Sequence, residues 1–311
     1  MEQRLLGRSG LRVSRLGLGT LTWGRDTDEH EAADQLRSFV DAGGTLVDTA
    51  ASYAGGASEE LLGALLGDVV PREEVVLVTK AGLRPGTSQV DASARNLLRR
   101  LDESLARLRT DHLDLWLVHA WDPQVPLEET LAALRLAVSS GRARYVGVSS
   151  YSGWQLARAA TLSAAAGAPL VADQVEYSLL QRSAEAEVIP AAGHVGAGVV
   201  AWAPLGRGAL TGKYRHGTPA DSRAASPHLA AYVNPYLDAD GRRVVEAVAT
   251  AADGLGCAPL EVALAWARDA PGIASAVVGA RTAAQLRGSL AAEELTLPEE
   301  IRQALDDVSA A

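Results

Sequence analysis

The feature that most constrains the fold is an alternation of short apolar runs with longer amphipathic segments along the chain. Runs rich in valine, leucine and alanine lie at 15–20, 44–49, 74–80, 113–119, 143–150, 170–176, 198–204 and 274–280. Between most of them apolar residues recur at helical spacing, most clearly over 91–109, where Asp91 is placed to cap a helix. Other helical patterns begin near Glu29, Ser58, Leu127, Ser152 and Ala184. Because such alternation favours parallel strands with right-handed crossovers, eight units predict an α/β fold, the (β/α)8 TIM barrel.

Segments at both ends add to this barrel. "EQRLLG" and "LRVS" flank the turn "RSG" and predict an N-terminal β-hairpin. Helical patterns at 241–255, 259–270 and 298–309 predict extra helices near the C-terminus. Barrels of about 250 residues or more form one domain, so residues 1–311 are expected to form a single barrel domain.

Composition excludes several classes of function. The net charge is −9, and Lys and Arg are scattered, whereas phosphate-backbone binding needs them clustered; we expect no nucleic-acid partner. The most apolar stretch, 188–206, is broken by Pro190, His194 and several glycines, so no membrane association is expected. The charged N-terminus lacks the apolar core of a signal peptide, and Cys257 is the only cysteine. Together these features predict a cytoplasmic protein, either a monomer or a weak homo-oligomer.

Residues 207–240 interrupt the strand–helix rhythm. The stretch is rich in Gly, Pro, Ser, Asp, Tyr and His, and it contains no clear strand pattern. A long loop in a compact domain is usually functional or mobile. The sequence alone does not determine its conformation.

Four polar residues fall where successive predicted strands end. Asp48 ends the second strand, Tyr53 follows in its loop, Lys80 ends the third and His119 ends the fourth. Alone, such a Lys is usually a solvated strand end and such a His a structural residue. In barrel enzymes, however, catalytic residues occupy the C-terminal ends of strands, and the shared location of these four at one mouth favours a catalytic role.

This set of side chains suits the reduction of a carbonyl group. A Tyr hydroxyl has an unperturbed pKa of about 10, and a nearby Lys ammonium is expected to lower it. Asp48 would keep Lys80 charged, and His119 would position the carbonyl oxygen. Tyr53 would then protonate that oxygen as negative charge develops on it, provided that a hydride donor lies close by.

The chain resembles the aldo-keto reductases, a family of (β/α)8 barrels that use nicotinamide cofactors. The resemblance rests on "DTAASYAGGASEELLG", "VTK", "LDLWLVHAWD", "RYVGVSSYS", "DQVEYSLL", "WAPLGRGALTGKY" and "VVGARTAAQL", in the order and spacing of the family, and covers nearly the whole chain. It implies Tyr53 as general acid, Lys80 and Asp48 as its tuning pair, and His119 as the residue that positions the carbonyl.

The resemblance also implies cofactor contacts, although "GLGTLT" (17–22) is not a Rossmann fingerprint, since the third Gly and the following helix are missing. Thr20 and Leu21 would lie near the nicotinamide ribose, together with Asp48. Ser149 and Gln174 would hold the carboxamide, Ser150 stands where the family commonly has Asn, and Trp202 would stack on the nicotinamide. The pyrophosphate would lie against Lys213 and the backbone amides of Leu205 to Leu210, a turn that contains Gly206, Arg207 and Gly208 and follows Pro204.

The segment after the eighth strand predicts the choice of cofactor. The chain leaves that strand at Gly279 and begins a helix near Thr282, whose free amides and partial positive charge would attract a phosphate. Arg281 could clamp a 2′-phosphate there, with Gln285 one turn further on. Where the family usually has Glu and Asn, this chain has Gly288 and Ser289, which offer fewer adenosine contacts. We therefore expect NADPH (NADP⁺) as cofactor, with a preference based on charge.

Trp23 and Trp121 follow strand ends and are expected to line the apolar part of a substrate pocket, beside Tyr53 and His119. No Cys/His or paired-carboxylate spacing predicts a metal site. The expected substrate is a small aldehyde or ketone. Three alternatives remain open: a keto-sugar or enone reductase of secondary metabolism, alcohol oxidation on the same site, and a cofactor-binding regulatory subunit of a channel or other partner.

Overall fold

The computed structural model describes residues 1–84, 87, 89–220 and 222–310. Its strands are β1 (Gln3–Leu5), β2 (Arg12–Ser14), β3 (Leu16–Gly19), β4 (Leu46–Asp48), β5 (Val76–Ala81), β6 (Leu113–Val118), β7 (Ala143–Ser149), β8 (Leu170–Glu176), β9 (Gly198–Trp202) and β10 (Ile273–Gly279). Strands β3 to β10 close into one barrel of eight parallel strands, and β1 pairs with β2 as an antiparallel hairpin. The predicted barrel and hairpin are confirmed.

The helices surround this barrel. They are α1 (Glu29–Asp41), α2 (Ala57–Leu65), α3 (Ala94–Leu108), α4 (Leu127–Ser139), α5 (Gly153–Ala165), α6 (Val188–Val195), α7 (Ala230–Val233), α8 (Ala239–Leu255), α9 (Pro259–Arg268), α10 (Ala283–Leu290) and α11 (Glu299–Ser309). Among the described residues, no single helix is long and apolar enough to cross a bilayer. Helices α8 and α9 reach that length and composition only as a pair bent by 102°.

Two helix starts differ from the predictions. Helix α3 is capped by Ser93, whose hydroxyl accepts from the Asn96 amide, because the Asp91 carboxylate binds Ser93 instead. Helix α6 begins at Val188, since the residues around Ala184 form a short 3₁₀ turn.

The stretch 207–240 contains no strand among its described residues, and Asp221 lies outside them. It consists of short helical turns together with α7.

Apolar packing holds the barrel on both sides of its wall. The larger core cluster lies between the strands and the helices, and it includes Phe39, Trp116 and Trp266. A smaller cluster joins Leu6 and Val13 of the hairpin to inward-facing strand residues, so the hairpin closes the N-terminal end of the barrel. That closure leaves the C-terminal ends of the strands as the open end.

A matched pair of glycines tests the packing of α2 on α3. A Cβ at Gly63 would lie 2.1 Å from the Arg107 carbonyl oxygen and 2.7 Å from Leu108 Cα, both backbone atoms. We expect Gly63→Ala to lower the free energy of unfolding by about 1–3 kcal/mol, as overpacking does. At Gly254, in α8, a Cβ would meet nothing within 4 Å. Gly254→Ala should therefore raise the free energy of unfolding by roughly 0.5–1 kcal/mol. Denaturant unfolding measures both, and a change of the same sign in the two variants would contradict this account.

Candidate active site

A cavity of about 820 Å³ opens at the C-terminal ends of the barrel strands. Its floor contains Asp48, Tyr53 and His119, and one wall is made by the segment 202–213 after β9. Asp48 pairs with Gly19 and Val78 of the neighbouring strands, and Lys80 pairs with Leu117. Parallel strands in register therefore bring residues that are distant in sequence to one mouth.

Lys80 lies behind this floor and forms an ion pair with Asp48. The Lys80 Nζ atom donates to both Asp48 carboxylate oxygens at 2.6 Å, and the Lys80 side chain is only 1% exposed. The Gln174 side-chain amide donates to Asp48 Oδ1 at 2.7 Å. Burial lowers the pKa of Lys80, while the charge of Asp48 opposes that shift. Two partners thus hold the carboxylate in one orientation.

Tyr53 lies above this pair on a strained turn. The 3₁₀ turn Tyr53–Gly56 contains Ala54, Gly55 and Gly56 with φ values of 48°, 68° and 105°. The turn places the Tyr53 ring 5.2 Å from Lys80 Nζ, measured to the ring centroid. Burial and the charge of Asp48 raise the pKa of Tyr53 well above its usual value. The net shift is opposite to the one expected from the Lys80 ammonium, because burial and the charge of Asp48 both raise the pKa of Tyr53.

His119 completes the floor. Its ring stands edge-on to Tyr53, with centroids 6.1 Å apart and planes inclined by 76°. Burial, followed by the charge of Lys80, lowers the pKa of His119 to about 3, so the imidazole is neutral near pH 7. Its Nδ1 atom is buried and has no hydrogen-bond partner among the described residues. A neutral imidazole can hold a carbonyl oxygen with one N–H, whereas Tyr53 retains a proton to give.

Comparison with known proteins agrees with this geometry. The sequence matches the Aldo/keto reductase family over residues 15–310. The chain belongs to the aldo/keto reductase family. It is 37% identical to the uncharacterized oxidoreductase YrpG of Bacillus subtilis, over 99% of this chain and 96% of that protein. The chain is an NAD(P)H-dependent oxidoreductase of this family.

Two plant relatives carry a different description. A probable voltage-gated potassium channel subunit beta of Oryza sativa is 36% identical, over 90% of this chain and 87% of that protein. A probable subunit beta of Arabidopsis thaliana is 33% identical, over 95% of this chain and 92% of that protein.

The reductase cavity brings together most residues that were expected to bind the cofactor. Its wall contains Leu21, Asp48, Ser149, Ser150, Gln174, Trp202, Pro204, Leu205, Arg207, Gly208, Lys213, Gly279, Arg281, Gln285 and Ser289. Ser150 has a φ of 58°, a left-handed conformation that Asn tolerates better than Ser does. This backbone requirement gives a physical reason for Asn at the matching position of the family.

Three predicted cofactor contacts lie outside the cavity. Thr20 is fully buried, and its hydroxyl donates to the Asp48 carbonyl oxygen at the end of β4. Gly206 and Leu210 are also buried, and their amides donate to the carbonyl oxygens of Ala203 and Leu205. These three contacts stay predictions, and the polar groups concerned already have partners within the chain.

Both tryptophans that were expected to line the substrate pocket lie elsewhere. Trp23 is fully buried and donates from its indole nitrogen to Gln35 of α1 at 3.1 Å, which makes it a core residue. Trp121 packs edge-on against Tyr151 and Trp154, with centroids 5.2 and 5.3 Å away, outside the cavity wall. Neither tryptophan lines the cavity, and contact of either with a substrate stays a prediction.

The N-terminus of α10 is less open than the sequence indicated. The Ala283 amide donates to Glu31 of α1 at 2.6 Å, and the Gln285 amide donates to Thr282. The Gln285 side chain accepts from the Arg281 amide. A phosphate at this place would therefore depend on guanidinium groups, since a carboxylate already caps the helix.

Two cationic residues that sequence analysis missed, Arg25 and Arg223, also line the cavity. Arg25 and Arg223 join Arg207, Lys213 and Arg281 on its wall, although the chain as a whole carries a net charge of −9. The Arg223 guanidinium points to Gly279, and burial, with a further contribution from the charge of Arg281, lowers its pKa. For Arg223, the only signal in the sequence was the length of the 207–240 stretch that contains it, since an isolated Arg in a loop forms no pattern.

Arg207 holds that stretch in place. Its guanidinium donates to both Glu176 oxygens at 2.7 and 2.6 Å and to the Tyr232 carbonyl oxygen at 2.7 Å. The group lies 3.9 Å from the Tyr232 ring centroid and 5.0 Å from that of Tyr236. This anchor brings Tyr232 to the cavity wall.

The buried neutral histidine gives a test by pH. An unfolded His119 binds a proton below about pH 6.5, whereas the folded chain resists it down to about 3. The contribution of neutral His119 to stability is therefore complete above the unfolded value and is lost as pH falls through this window. As the pH falls from about 7 to about 4, the free energy of unfolding should decrease less in His119→Asn than in wild type. The difference should reach up to about 1.4 kcal/mol per unit of pH.

Urea unfolding at a series of pH values measures this difference. His30→Asn is the control, since the His30 side chain is 86% exposed on α1. The control should follow wild type, and a His119→Asn curve that also follows wild type would contradict the buried neutral state.

Proposed function

We propose that the protein reduces an aldehyde or ketone to an alcohol with NADPH, and that Tyr53 is the general acid. The observation that carries this proposal is the buried Lys80–Asp48 pair directly beneath Tyr53, at the floor of a cavity with cationic walls. A hydride acceptor needs a proton at its oxygen, and here a protonated phenol and a neutral imidazole share one floor.

The residues of the cavity fit NADPH, which supplies the hydride when it is bound. The cavity wall carries five cationic side chains, of which Arg25 and Arg207 are ion-paired with Asp26 and Glu176. Lys213, Arg223 and Arg281 would meet the negative charges of the ligand. Lys213 would bind the pyrophosphate, and Arg223 and Arg281 would bind the 2′-phosphate. Ser149 and Gln174 would hold the carboxamide, with Trp202 against the nicotinamide ring.

The pKa shifts of His119 and Tyr53 assign the proton transfer to Tyr53 in this proposal. His119 is neutral, so it orients the carbonyl oxygen by donating a hydrogen bond. It is not the proton donor, because it carries no imidazolium proton. Tyr53 stays protonated across the neutral range. An alkoxide is far more basic than a phenolate, so transfer from the phenol hydroxyl to the developing oxyanion is favourable even with a raised pKa. Lys80 then stabilises the phenolate that remains.

The same site could serve a keto-sugar or an enone, because both present an oxygen on which negative charge develops. A second candidate role is a cofactor-binding regulatory subunit, which the two plant relatives favour through their descriptions. A panel of aldehydes, ketones, keto-sugars and enones with NADPH separates these roles. Turnover of one class identifies the reductase substrate, whereas tight NADPH binding without any turnover favours the regulatory role.

Tyr53→Phe tests the catalytic assignment. We expect turnover of para-nitrobenzaldehyde to fall by about a hundredfold or more, because the variant lacks one positioned proton donor while its ring still packs. NADPH binding, followed by fluorescence titration, should change only a few-fold. Turnover close to wild type in a variant that binds NADPH would refute Tyr53 as the acid.

Arg281→Ala tests the preference for NADPH. We expect it to weaken NADPH binding by roughly 1.5–3 kcal/mol, the scale of a hydrogen bond to a charged group, and to leave NADH binding almost unchanged. Glu31→Gln is the counterpart of opposite sign, because it removes the carboxylate that caps α10 at Ala283. It should strengthen NADPH binding.

Fluorescence titration of both cofactors against the three proteins measures these effects. Equal losses for NADPH and NADH in Arg281→Ala would show that Arg281 does not recognise the 2′-phosphate.

A further inference from the structure

Glu59 is a fully buried carboxylate that has no part in the mechanism described above. It lies in the first turn of α2 and is 0% exposed. Its Oε1 atom accepts from the Thr79 hydroxyl at 2.6 Å, and its Oε2 atom accepts from Arg107 Nε at 2.8 Å and Arg107 Nη2 at 2.6 Å. A buried carboxylate is strongly unfavourable unless it is paired in this way.

These partners connect Glu59 to both halves of the acid site. Thr79 directly precedes Lys80 in β5, so its hydrogen bond holds the strand at the residue before the catalytic ammonium. Helix α2 directly follows the strained turn that carries Tyr53. Arg107 packs on the last residue of that turn, since a Cβ at Gly56 would lie 3.1 Å from Arg107 Nε.

Charge connects Glu59 to Lys80 as well. The charged groups that act on Lys80 are Asp48 and Glu59, and Asp48 also acts on Tyr53. Lys80 in turn acts on His119, and Tyr53 acts on Tyr232. Burial lowers the pKa of Lys80, and the negative charges of Asp48 and Glu59 both oppose that shift. Arg107 has the opposite sign and partly neutralises Glu59, with which it forms an ion pair.

We propose that Glu59 is a positioning residue for the Tyr53–Lys80 pair, and that the Glu59–Arg107 ion pair sets the charge around Lys80. This inference rests on the proposed role of Tyr53 as general acid. Glu59 acts through Lys80 and through the Tyr53 turn, without touching the substrate.

Two substitutions with opposite electrostatic effects test the inference. The rate of NADPH-dependent reduction of para-nitrobenzaldehyde should fall at high pH as the ammonium loses its proton. Glu59→Gln removes a negative charge, so it should move this basic limb to lower pH by about half a unit or more. Arg107→Met removes a positive charge and leaves Glu59 ionised, so it should move the limb to higher pH by a similar amount.

The double variant Glu59→Gln/Arg107→Met removes both charges and should return the limb close to its wild-type position. Arg142→Met is the matched control. It breaks an ion pair with Asp102, which lies on α3 like Arg107, but away from the cavity. The control should keep the wild-type profile.

The outcomes are distinguishable. The inference is overturned if the basic limb stays at the wild-type pH in both single variants, or if it moves in the same direction in both. This holds even if kcat falls, because a purely structural role predicts loss of activity without opposite shifts. If Glu59→Gln does not fold, Arg107→Met and the double variant still decide: a raised limb that returns to wild type supports the inference, and two unshifted limbs overturn it. Failure of the proposed function appears separately, as undiminished turnover in Tyr53→Phe.

Discussion

The buried ion pair between Lys80 and Asp48 is the interaction on which the rest of the site depends. Two opposite charges that are almost inaccessible to water are stable only when their geometry is close and their remaining bonding positions are filled. Here the ammonium contacts both carboxylate oxygens, and Gln174 donates to one of them. The barrel provides this arrangement because the three residues lie on parallel strands that end at one level.

Backbone strain is concentrated around the same mouth. Among the described residues, five that are not glycine have positive φ values, and four of them belong to the site: Ala54, Ser150, Ala203 and Arg207. Such conformations are unfavourable by roughly 1–3 kcal/mol each and persist only where surrounding contacts determine them. At Arg207 those contacts are visible, because its guanidinium binds Glu176 and lies against Tyr232. The strained turns thereby aim Tyr53 and the wall after β9 at one cavity.

The charge of the cavity is opposite to that of the molecule. The chain has a net charge of −9, yet arginines and a lysine from four separate segments meet on the cavity wall. This focusing favours an anionic ligand at one place without making the whole surface basic. At the N-terminus of α10, by contrast, the Glu31 carboxylate of α1 already caps the helix that was expected to bind phosphate.

The sequence by itself determined the eight strands, the hairpin and the four residues at the strand ends. Apolar spacing is a local property, and parallel strands in a barrel share one chemical end, so order along the chain was sufficient to group Asp48, Tyr53, Lys80 and His119. Only the tertiary structure decided that Trp23 is a core residue, that Arg223 reaches the cavity, and that the pKa of Tyr53 is raised. The physical reason is that burial and pairing join residues far apart in sequence, as in the hydrogen bond from Ala283 to Glu31, 252 positions away. No local spacing records such contacts.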